Sequence, residues 1–122
     1  MYMPVRSNRT LAGRYIAAMS DRDREVERVA TRQAGSTDLG NVSVRVPSIH
    51  PTIAITDRSI GGHSLAMAEA SITGEADRAV IDAAIALGRT AADVLADDDL
   101  LAAMRAEFEA SGGIVDVPSF DR

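Results

Sequence analysis

The amino-acid sequence predicts an α/β chain, with helices packed on a small sheet. Two observations predict the sheet. Val42, Val44 and Val46 alternate with Ser43 and Arg45, the period of a strand with one buried face. Ile53 and Ile55 mark a second short apolar alternation. The third observation is a long helical period of apolar residues over 74–96, which supplies the helical layer.

The elements follow in order. Residues 1–6 read as an extended lead-in, because Pro4 disfavours helix at Met3. Ser7 and Asn8 can cap a helix at about 8–20, where Leu11, Tyr15, Ala18 and Met19 recur at helical spacing. Residues 21–33 are dense in charge, with Val26, Val29 and Ala30 as a narrow apolar stripe. They read as a solvent-facing helix or a charged connection. Gly35 to Asn41 is a turn cluster. The first strand is expected near 42–47, where Pro47 ends it, and the second near 52–56. Asp57 to Gly62 reads as a loop, and Ser64 can open a short helix holding Leu65, Met67 and Ala68.

From 74 to 96, Ala76, Val80, Ala83, Ala84, Leu87, Ala91, Val94 and Leu95 are expected to face inward, with Asp82, Arg89 and Asp93 outward. Thr73 is the expected cap, and Glu75 and Asp77 suit the positive end of the helix dipole. Asp97, Asp98 and Asp99 open a last helix at about 98–110, with Leu101, Met104 and Phe108 inward. Ser111-Gly112-Gly113 ends it. The tail, 114–122, reads as extended or frayed.

Composition bounds the function. The 122 residues fit one domain able to bury a core. Apolar residues are 46% and aromatic residues 3%, so that core must be aliphatic. The net charge of −5, with no lysine, argues against nucleic-acid binding, which needs clustered cations. The absence of cysteine excludes disulfides and thiolate zinc sites. No apolar run approaches the roughly 20 residues that span a bilayer, and no signal-type apolar segment opens the chain. A cytoplasmic protein without a membrane partner is the expectation.

Few residues offer chemistry. His63 follows Gly61-Gly62 and can ligate a metal or move protons; the plainer reading is a loop histidine at a helix start. His50 lies between Ile49 and Pro51, and a satisfied, partly buried histidine is its plainer reading. The Asp38 carboxylate can orient a histidine or a substrate amine, or simply accept backbone N–H bonds in its turn. Gly40 and Asn41 can let a ligand approach the backbone, or only shape the turn. A joint metal or anion site of His50, His63 and Asp38 is a further possibility. The acidic run 97–99 lacks the alternation of a calcium loop and reads as helix capping.

Gly35-Ser36-Thr37-Asp38-Leu39-Gly40-Asn41-Val42-Ser43, continuing through Val46-Pro47-Ser48-Ile49-His50-Pro51, resembles a late segment of the zinc-dependent aminoacylase/carboxypeptidase-type amidohydrolases. The branch it looks most like is the peptidase-M20-like, aminobenzoyl-glutamate-hydrolase-like one. Asn8 to Ala12 with Tyr15, and Gly62-His63-Ser64 followed by Met67 to Ala70, are similar to flanking segments of that family. The resemblance covers residues 7–110. Leu65-Ala66-Met67 departs from it, standing where an acidic or aromatic residue is usual.

The resemblance implies a single partial aminopeptidase-like catalytic domain over 1–122, the part that follows an inserted lid. It implies hydrolysis of an amide bond in an N-acyl amino acid or dipeptide-like substrate, by water activated on zinc or another divalent metal pair. His63 would be a metal ligand. Ser36, Thr37, Asp38, Gly40 and Asn41 would wall the substrate site, and His50 has no assigned role. No HxD pair and no Glu-Glu pair occurs, so most metal ligands and the catalytic glutamate are missing. The expectation is a fragment, inactive alone and stably binding no metal by itself. It would form a homo-oligomer or associate with a missing N-terminal half. A non-enzymatic remnant or oligomerisation module is the alternative.

Overall fold

A computed structural model describes residues 3–28 and 37–116. The described residues form five helices: α1 (Arg9–Ser20), α2 (Leu39–Ser43), α3 (Leu65–Ala70), α4 (Gly74–Ala96) and α5 (Asp98–Ala110). Each long helix begins on a local side-chain cap. The Asn8 side chain accepts from Leu11 N, Thr73 from Ala76 N and Asp97 from Leu100 N. Gly112 and Gly113 close α5 with φ of 108° and 58°, and Gly113 N donates to Phe108 O.

α1, α4 and α5 pack on one another. Tyr15, Ala18 and Met19 of α1 meet Ala86 of α4 in the core, with Val26, Ile49 and Ile53 packed against them. Met104 and Phe108 of α5 are buried as expected, and Leu101 is half-buried. Asn8 joins α1 to α5: its Nδ2 donates to Met104 O while its backbone N donates to Ser48 O. Glu107 of α5 accepts from Arg9 N, Thr10 N and the Thr10 hydroxyl, at the positive end of α1. No helix of the described residues is long and apolar enough to cross a membrane.

The expected α/β fold, a partial aminopeptidase-like domain with strands near 42–47 and 52–56, is not what forms. The described residues are helical, with no strand ladder; an isolated parallel bridge joins Ser7 and Ser48. Residues 39–43 wind into α2, and Arg45 N and Val46 N both donate back to Val42 O. The valine alternation therefore does not sort by side. Val44 is buried beside fully buried Ser43, while Val42 and Val46 lie half open to solvent. Ile53 reaches the core as a side chain without its backbone pairing. Alternation prescribes a strand only where a partner backbone completes the ladder, and none does among the described residues.

α4 is also rolled relative to expectation. Its buried residues are Ala76, Ala79, Asp82, Ala86 and Thr90, whereas Val80, Leu87 and Leu95 face solvent. Asp82 turns inward because Arg22 and Arg24, from the charged stretch after α1, both pair with it. That stretch is irregular over 24–28, which settles its described part as a connection; Val29 and Ala30 lie outside the described residues.

Candidate functional site

The turn from Thr37 to Asn41 is built mostly from its own hydrogen bonds. Thr37 Oγ1 accepts from Leu39 N at 3.2 Å, and Asn41 N donates to Asp38 O at 2.9 Å. Asp38 stands at the start of α2, exposed and without a side-chain capping bond. Gly40 is buried against the N-terminal lead-in, and a Cβ there would lie 1.6 Å from Met3 O. Asn41 Oδ1 accepts from Met3 N at 2.9 Å, and Ser43 Oγ accepts from Arg6 N at the same distance. Gly40 and Asn41 thus hold the lead-in, Thr37 shapes the turn, and Asp38 offers its carboxylate outward. Ser36 lies outside the described residues.

His63 sits in a different setting. It is exposed, and its φ of 55° places a non-glycine residue in the left-handed region. Such residues are uncommon, and held strain of this kind gathers at functional positions. Ser64 fixes the loop on one side: its hydroxyl donates to Gly61 O at 2.7 Å and accepts from Met67 N at 3.1 Å, capping α3. Open space surrounds Gly61 and Gly62, so the histidine stands on an uncrowded edge.

These residues do not converge into a metal cage. Among the described residues no group of three His, Cys, Asp or Glu side chains could hold a metal ion, so the joint site of His50, His63 and Asp38 does not form. His50 is exposed rather than satisfied and part-buried. The metal pair implied by the resemblance does not fit this donor set, and no catalytic step follows from it here.

The cluster that sequence reasoning missed is ionic. A groove of about 390 Å³ lies where α1 ends against α4, lined by Asp21, Arg22, Asp23, Arg78, Ile81 and Asp82. Arg22 and Arg24 grip the two oxygens of Asp82 at 2.8 and 2.9 Å. Their hydrogen bonds and charge hold the Asp82 carboxyl below the usual aspartate range, against the opposing effect of burial. The available signal was an aspartate in the middle of an apolar helix opposite an arginine-rich segment. None of Thr37, Asp38, Gly40, Asn41 or His63 lines this groove.

The chain is 40% identical over 76 residues to the Xaa-Arg dipeptidases of Homo sapiens and Mus musculus. That match covers 62% of this chain and 17% of each relative, so the chain corresponds to a minor part of their length. No family model and no solved structure matches. A 76-residue span of a 122-residue chain contains residues 47–76 wherever it begins, so the likeness to a peptidase-type hydrolase takes in the His63 loop and α3.

Proposed function

We propose that this chain is one portion of a dipeptidase-like hydrolase, contributing His63 and the turn at residues 36–41 to a site completed by residues it does not itself contain. The observation that carries the reading is the 40% identity to the two dipeptidases across a span that includes His63. The left-handed, Ser64-braced, exposed setting of His63 supports it, because an imidazole held this way is free to meet donors from elsewhere. The substrate class is a dipeptide or N-acyl amino acid. The metal is zinc or another divalent ion, held mainly by donors outside this chain, with His63 supplying one nitrogen. Asp38 is the turn residue whose side chain remains available to a substrate amine.

The test replaces the matched segment of the human Xaa-Arg dipeptidase with this chain and follows arginine release from Xaa-Arg dipeptides. The hybrid is expected to hydrolyse them, while the 122-residue chain alone gives none. His63→Ala is expected to lower turnover by more than about 100-fold, beyond the loss typical of an outer-shell metal partner. A folded, active hybrid indifferent to His63→Ala overturns the assignment of His63.

A further inference from the structure

The groove where α1 ends against α4 holds more charge than its own ion pairs use. Among its lining residues, Asp21 pairs with Arg89, and Asp82 pairs with both Arg22 and Arg24. Asp23 and Arg78 line the same groove and are exposed. Neither has an ion-pair partner among the described residues, and no ion pair joins the two. One carboxylate shared by two arginines also leaves a positive charge in surplus. Arg78, Ile81 and Asp82 share one side of α4, so that surplus lies one turn from Arg78. Asp23 is set by its backbone. Its φ is 55°, and on either side of it Arg22 N and Arg24 N donate to Met19 O at 2.9 and 3.2 Å. Two opposite charges placed in one groove without neutralising each other are complementary to a molecule that carries both. The volume of about 390 Å³ is at the small end of the roughly 300–1,000 Å³ of small-molecule sites.

We propose that this groove binds a small zwitterion, an amino acid or short peptide with a free ammonium, a free carboxylate and an apolar side chain. The ligand carboxylate pairs with the Arg78 guanidinium, whose planar fork matches it, and the surplus charge of Arg22 and Arg24 adds to the attraction. The ammonium pairs with Asp23. The apolar side chain lies on Ile81, which is 54% exposed and lines the groove between the charges. None of Thr37, Asp38, Gly40, Asn41 or His63 lines this groove, so the inference stands independently of the hydrolase reading.

The test titrates the 122-residue chain and follows its backbone amide chemical shifts residue by residue. The probes are L-leucine and L-alanyl-L-leucine, which separate a free amino acid from a peptide. The better of the two is expected to saturate with a Kd near 1 mM, the scale of two charge pairs at an open surface. Isocaproate, which lacks the ammonium, and isoamylamine, which lacks the carboxylate, are expected to bind about 10-fold more weakly, the loss of one hydrogen bond to a charged group. Arg78→Gln keeps a good helix former, and Asp23→Asn keeps a residue that tolerates the left-handed backbone, so both variants are expected to fold. Each is expected to weaken the zwitterion about 10-fold. Asp23→Asn should leave isocaproate unchanged, and Arg78→Gln should leave isoamylamine unchanged. Absence of saturation up to about 10 mM overturns the proposal, as does equal affinity for the singly charged probes; both are read on the parent chain alone. Shifts confined to residues 37–41 and His63 also overturn it, and assign the binding to the proposed hydrolase site instead.

Discussion

At the scale of single residues, the Glu107 carboxylate ties α5 to the start of α1. Burial opposes its ionisation. Hydrogen bonds from Arg9 N, the Thr10 hydroxyl and Thr10 N, with the Arg9 charge, outweigh that and hold its carboxyl below the ordinary glutamate value. A carboxylate with a folded-state pKa below its unfolded one stabilises fully above the unfolded value, about 4.3 for Glu, and the contribution is lost as pH falls through the folded value. Glu107→Gln is therefore expected to lower the urea midpoint at pH 7 and to flatten its decline between pH 5 and 3. An unchanged acid limb would place the lost protons elsewhere. Little of this was legible in the sequence, since Glu107 meets Thr10 across 97 residues. The same holds for Asn41, whose partner is Met3, 38 residues away. The loop holding His63 was legible in part. The glycine pair and the Ser64 cap are local signals, whereas the left-handed backbone of His63 is not.

At the scale of elements, the three long helices were readable because their caps are local. Asn8, Thr73 and Asp97 each satisfy an N–H within three residues, and the sequence names them directly. The facing of α4 was misread, because α1 and α5 cover a side that holds Asp82 and Thr90 and leave Val80, Leu87 and Leu95 open. Ala79 and Ala86 are fully buried, while Ala84 is open. Ala86→Leu is therefore expected to destabilise the chain by about 1–3 kcal/mol through overpacking against Tyr15 and Met19. Ala84→Leu is expected to stay within about 0.5 kcal/mol, as for an unconstrained surface position. Denaturant unfolding of the pair checks the roll of the helix; equal losses would contradict it. The expected strands failed for a related reason, since a ladder needs a partner that a valine alternation does not name.

At the scale of the whole molecule, Arg6 closes the chain on itself. Its guanidinium stacks 4.6 Å from the Phe108 ring centroid and donates to Ser111 O at 2.9 Å and to Gly113 O. Its backbone N binds Ser43 Oγ, so the lead-in, α2 and the end of α5 meet at one residue. Arg6→Ala is expected to cost about 2 kcal/mol, the scale of a hydrogen bond to a charged group. Arg6→Lys should recover less than half of that loss, because an ammonium cannot stack and fork together. A calorimetric Tm for both variants checks the order. The sequence by itself determined where the long helices start and stop, and the resemblance to a peptidase-type hydrolase, through local capping and motif order; the core expected to be aliphatic instead takes in Tyr15 and Phe108. Only the tertiary structure decided that the valine run winds instead of pairing, that Asp82 turns inward between two arginines, and that α4 keeps one apolar stripe bare. Each of these depends on which distant segment lies alongside, and contact between distant segments is what folding adds to a sequence.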